Sequence, residues 1–176
     1  MKDAASNFKA WYVDVLDVLY KIEGAGIPVL MISLPLLERY LRQKNHVAPN
    51  DKLNDACMSN LCSMFPALPS VAVAWQLWNV YRNGFLHQAT LSAVTHRGTN
   101  LPVGWLTYNR STPVTIEPDG SFCVQPRLFS QRVIDVIESD FAVFAGLAAG
   151  APPLPVVVRL DPVTIPSTYL GTRGGP

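Results

Sequence analysis

The stretch Trp78 to Gln88, WNVYRNGFLHQ, sets an arginine (Arg82), a carboxamide (Asn83) and a histidine (His87) among three aromatic side chains. Only 15% of the 176 residues are charged, so these polar groups are either paired inside a core or kept for a ligand. Their types fit the cleavage of RNA without a metal. That reaction needs a base for the ribose 2′-hydroxyl, an acid for the leaving 5′-oxygen and a cation over the charged phosphorane. Histidine titrates near neutrality and serves as acid or base, and arginine offers a fixed fork of donors to phosphate oxygens. One chain supplies a single His87, whereas two copies about a two-fold axis would supply two histidines and two arginines. On an α-helix Asn83 and His87 share a face at i, i+4, so the amide can orient the imidazole. Arg82 and His87 are five residues apart and diverge by about 140°. A long arginine, a distortion at Gly84 or a second protomer must therefore bring them into one cleft.

The order Arg82, Asn83, three residues, His87 resembles the motif of the HEPN superfamily, where an arginine and a polar residue precede a histidine near a helix end. As architecture the resemblance covers roughly residues 5 to 148; its sequence-specific part is Tyr81 to Gln88. It implies a bundle of four or five helices that dimerises through the helices carrying the motif, with strands inserted near it in several members. The activity implied is that of a metal-independent endoribonuclease acting on single-stranded RNA, of the kind found in toxin-antitoxin and other defence systems. No cofactor or metal is implied. The partners are a second copy, RNA and a regulatory or antitoxin protein. The family equally allows a catalytically silent module that dimerises or binds a partner.

Plainer roles stand beside these. Arg82 can pair with an acidic residue such as Glu38, and His87 can cap the end of its helix, where positive charge is favoured. Tyr81, Gln88, Arg97 and Arg110 are candidates for touching RNA, Arg97 and Arg110 from loops of a β insertion. Trp75, Trp78, Tyr81 and Phe85 recur at helical spacing and read as core or dimer interface rather than base-stacking platforms. His46 and His96 fall near turns. Asp14, Asp17 and Glu38 form no close carboxylate pair, which argues against glycosidase chemistry. No serine sits in a nucleophile elbow and no Gly-rich phosphate loop is present.

The elements that must position these residues are mostly helical. Phe8, Trp11, Tyr12, Val15, Leu16, Leu19 and Ile22 recur at three- and four-residue steps, predicting a helix over 4–22 with one buried face. A second helix starts near Pro28 or restarts at Pro35, with Leu37, Tyr40 and Leu41 inside. A third spans 51–65, capped by Asn50 or Asp51, and a fourth runs from the Ser70 cap to about His87. Turn residues at 98–102, 109–113 and 118–120 then separate short strands over 90–96, 104–108, 114–117 and 121–125, the last two a hairpin. A fifth helix covers 127–148.

The fold class is accordingly α+β, predominantly α: about five helices with a small antiparallel β insertion, about 90–125, between the fourth and fifth. One domain spans 1–150. Residues 151–176 form a Pro/Gly-rich tail with a possible strand over 156–160.

A formal charge of +1 and 49% hydrophobic residues give no general basic field for nucleic acid and leave apolar surface for a homodimer to cover. The longest apolar run, 27–37, is about half of the ~20 residues a membrane span needs and holds two prolines. With no signal-peptide pattern at the N-terminus, a cytoplasmic protein without membrane contact is expected. Cys57, Cys62 and Cys123 read as free thiols, and their spacing does not suit a zinc site.

Overall fold

The computed structural model describes residues 3–85, 95–96, 99–100 and 103–146. His87, Gln88, Arg97 and the tail 151–176 lie outside the described residues. The chain is mainly helical with a small sheet, α+β and predominantly α.

The N-terminal helix is wound in three parts: α1 (Ala4–Phe8), a π-helical segment (Lys9–Val13) and α2 (Asp14–Leu19). Asp3 caps it, its carboxylate accepting the Ser6 N–H at 2.7 Å. The π turn takes up one extra residue, which puts Phe8 and Leu16 on the inner face, both buried. Trp11, Val15 and Ile22, expected to share that buried face, are instead exposed. The helix thus has two apolar faces, which a purely α periodicity merges into one.

Helix α3 (Gly26–Lys44) runs unbroken through Pro35. Neither a start at Pro28 nor a restart at Pro35 is needed, because Pro35 sits on the exposed side while Leu34, Leu36 and Leu37 bury around it. At the helix start residue 26 must be glycine, because a β-carbon there would stand 2.5 Å from the Tyr108 hydroxyl and 2.8 Å from Pro126 Cγ. Its N–H instead donates to that hydroxyl at 3.0 Å. Two basic residues, Arg42 and Lys44, occupy its last turn, where the helix dipole favours them.

Helix α4 is Asp55–Met64, shorter than the 51–65 expected, and its cap is Asn54, which accepts the Cys57 N–H. The carbonyls of Ala48 and Asp51 are taken by the Arg42 guanidinium at 2.9 and 2.8 Å, and Asp51 N–H closes a turn on Ala48. That turn delays the helix. Helix α5 (Val71–Trp78) is capped by Ser70 as expected. It then passes into a second π-helical segment, Asn79–Phe85, rather than continuing as α-helix.

Strands β1 (Thr95–His96) and β2 (Thr99–Asn100) pair antiparallel. β3 (Gly104–Leu106), β4 (Val114–Ile116) and β5 (Phe122–Val124) form a second sheet in the order β3-β5-β4. The β4–β5 hairpin matches the expectation, Val114 facing Val124. β3 lies parallel to β5, so the insertion is mixed rather than purely antiparallel. The final helix is divided: α6 (Pro126–Ser139) and α7 (Phe141–Phe144) are separated by Asp140, whose carboxylate accepts from Lys44 Nζ at 2.6 Å and from the Tyr40 hydroxyl at 3.2 Å. The single helix over 127–148 fails there because this side chain is tied to the end of α3.

The core is organised around α3, with α6 along one side and α4, on which α5 packs, along another. Leu30, Leu34 and Leu37 of α3 meet Leu61, Leu77, Trp78, Tyr81, Val124 and Phe129 around a small apolar cavity. The Phe65 and Phe129 rings stack in parallel at 4.8 Å, closing α4 against α6.

Candidate functional site

Two neighbours fix the segment that carries Arg82. On the sheet side, Tyr81 is buried and its hydroxyl lies 2.7 Å from the Trp105 carbonyl and 3.0 Å from the Phe122 carbonyl, while the Trp105 N–H donates to it at 3.0 Å. The ring can reach these strands because residue 104 is glycine: a β-carbon there would meet Val80 Cγ1 at 2.6 Å and Tyr81 Cζ at 3.1 Å. Burial pushes the Tyr81 hydroxyl well above its ordinary pKa, so it stays protonated. Its ring faces the core rather than the solvent, where an RNA base would stack.

On the helix side, Arg82 Nε donates to Glu38 Oε2 at 2.8 Å. The other carboxylate oxygen, Oε1, accepts from Arg42 Nε at 3.0 Å and from Arg42 NH2 at 2.8 Å. One carboxylate therefore bridges two guanidinium groups, and Arg42 goes on to hold the Ala48 and Asp51 carbonyls. The three side chains are partly buried, with 26% of Arg82, 15% of Glu38 and 18% of Arg42 exposed. Burial pushes the Glu38 carboxyl up, but the hydrogen bonds and charges of Arg42 and Arg82 outweigh it and hold the group below its ordinary value. Glu38 is ionised at neutral pH. It acts as an acceptor that fixes cations and not as a proton donor.

Of the residues singled out by sequence, the structure places Tyr81, Arg82 and Asn83 in the π segment Asn79–Phe85. It joins Arg82 to Glu38, the pairing weighed above as the plainer role. Arg110 lies apart in the β region, exposed and paired with Glu117 at 2.8 Å. Trp78 is buried, and Trp75 donates its indole N–H to Asp55 at 2.8 Å. His46 is exposed at a turn with φ 53°. Arg42 is the member that sequence reading missed, and its signal was the i, i+4 spacing from Glu38.

The arrangement can present an oriented cation beside the end of α5. Among the described residues no group of three or more His, Cys, Asp or Glu side chains is placed to hold a metal ion, and no helix is long and apolar enough to cross a membrane. No protein-family model, curated protein or solved structure matches this chain.

Proposed function

We propose that the protein is a metal-independent endoribonuclease of the HEPN type that cleaves single-stranded RNA as a homodimer, in a toxin-antitoxin or other defence setting. The observation that supports this most is the π winding of Asn79–Phe85. Residues five apart diverge by about 140° on an α-helix but by only about 50° where hydrogen bonds close at i+5. Arg82 lies in that winding, and His87, which follows it by five in the sequence, is at the spacing that π winding, where it runs, brings round to one face; His87 itself lies outside the described residues. Single π turns inside α-helices are frequent at functional sites.

In this reading Arg82, oriented through Nε by Glu38, holds a non-bridging phosphate oxygen. His87 takes the proton of the 2′-hydroxyl as that oxygen attacks phosphorus, and the second copy's His87 gives a proton to the 5′-oxygen that leaves. Asn83 orients the imidazole. RNA cleavage in EDTA by the wild type and by His87→Ala is the direct test. The expected result is cleavage by the wild type and a loss of at least 100-fold in the variant; equal rates sink the assignment.

The Glu38 bridge favours a second reading, a catalytically silent dimerisation or binding module in which Arg82 ties its helix to α3. Wild-type protein with no RNA cleavage, together with a Glu38→Gln variant that loses only stability, would favour this module.

A further inference from the structure

Tyr81 and Arg82 are consecutive, and they tie one segment to two separate parts of the fold. Side chains of successive helical residues point about 80–100° apart, so Tyr81 meets the sheet while Arg82 meets α3. The Tyr81 hydroxyl lies 2.7 and 3.0 Å from the main-chain oxygens of Trp105 and Phe122 and accepts the Trp105 N–H at 3.0 Å. One residue on, Arg82 Nε donates to Glu38 Oε2 at 2.8 Å. Polar contacts thus run from β3 and β5 through two adjacent residues to α3.

Apart from this anchor, β3 has little to hold it. The strand is three residues long and, among the described residues, pairs only with β5, at the edge of its sheet. Gly104 has no side chain to bury, and Trp105 leaves 56% of its surface exposed. An element with so little burial of its own opens at lower cost than the core does. When β3 moves away, the Tyr81 hydroxyl loses both Trp105 groups, and the segment loses its stop on the sheet side. The Arg82–Glu38 hydrogen bond depends on angle as well as on distance, so a rotation of the segment weakens it. The contact that transmits the motion is close: a β-carbon at residue 104 would meet Val80 Cγ1 at 2.6 Å and the Tyr81 hydroxyl at 3.2 Å.

We propose that strand β3 is a conformational control on Arg82: in place, it holds the segment through the Tyr81 hydroxyl so that Arg82 meets Glu38, and displaced, it releases that contact. The coupling is reciprocal, so loss of the Glu38 bond loosens β3 in turn. Its meaning for RNA rests on the ribonuclease reading, in which Arg82 is the phosphate contact. The coupling itself does not, and it is measured without RNA.

Two cysteines of the full chain read it in one experiment. Cys123 faces Trp105 across the β3–β5 pair, and Cys57 is fully buried on α4. Both thiols are alkylated with iodoacetamide without denaturant, and each rate is followed by peptide mass. Tyr81→Phe, which keeps the ring and removes the hydroxyl, raises the Cys123 rate relative to that of Cys57 about tenfold. Glu38→Gln, on α3 rather than in the sheet, raises the same ratio. A general loss of stability speeds both thiols together and leaves the ratio where it was, so the ratio separates coupling from a merely structural role. In the other direction, the Arg82 Nε–H resonance, identified by its absence in Arg82→Lys, exchanges with solvent about tenfold faster in Tyr81→Phe. A ratio unchanged by Glu38→Gln, or an Arg82 exchange rate unchanged by Tyr81→Phe, overturns the proposal whether or not the protein cleaves RNA. A wild type that fails to cleave RNA ends the ribonuclease reading and leaves these rates as they are.

Discussion

Glu38 has one carboxylate and two arginines to satisfy, and the consequence is measurable. Its folded pKa lies below the ordinary 4.5 because Arg42 and Arg82 outweigh the cost of burial. As pH falls below about 4.5 the unfolded chain takes up a proton at Glu38 before the folded one does. The stabilising contribution is therefore complete above that value and fades as pH drops through the lower folded pKa. Glu38→Gln should lose about 1–3 kcal/mol of stability at pH 7. In urea titrations its deficit relative to the wild type should shrink between pH 5 and pH 3. A deficit constant across that range would mean that the bridge contributes nothing electrostatic. The Arg82–Glu38 pair was legible only as one option among several, because 44 residues separate the partners and no local spacing joins them. The Glu38–Arg42 pair was written in its i, i+4 step.

Among the elements, the helices were legible where capping and periodicity agreed, as at Ser70 and Val71–Trp78. They were misread where winding or tertiary bonds intervened. Both π segments hide from an α periodicity, since one residue added to a turn shifts every later side chain by about 100°. Helix α4 begins at Asp55 because Arg42 claims the carbonyls of Ala48 and Asp51, and the final helix breaks where Asp140 binds Lys44. Pro35 shows the opposite outcome. Inside α3 it removes the N–H that would bond to the Met31 carbonyl, but both residues are on the exposed side, so water can take that carbonyl. Pro35→Ala should restore the bond and raise stability by about 1–2 kcal/mol, after the loss of proline's restraint on the unfolded chain is deducted. Thermal unfolding measures it; a fall in stability would show instead that the proline holds α3 in the shape that aims Glu38.

At the scale of the whole molecule, the core closes α3 against α4, α5, α6 and the sheet, and its tightness can be read through the three free thiols. Cys57 is fully buried and Cys123 nearly so, while Cys62 is partly buried and its thiol is pushed up by that burial. Native protein at pH 8 should react with a thiol reagent at no more than one site, slowly, and at three sites in urea. Prompt reaction of all three without denaturant would contradict this packing. The mixed β3-β5-β4 sheet belongs to this scale too. Turn residues announced the β4–β5 hairpin, but the parallel pairing of β3 with β5 joins strands that no tight turn connects.

The sequence by itself determined the helical majority, the hairpin, the cap at Ser70, the cap of α4 in kind though not in place, and the chemistry available at Arg82, Asn83 and His87. These depend on residue type and on spacings of a few residues, which the chain carries locally. Tertiary structure alone decided that Glu38 would bridge Arg42 and Arg82, that Tyr81 would turn inward to hold β3 and β5, and that Trp11, Val15, Val18 and Ile22 would face outward. Each of these outcomes follows from which surfaces compete for the same buried space, and that competition is settled only when distant elements meet.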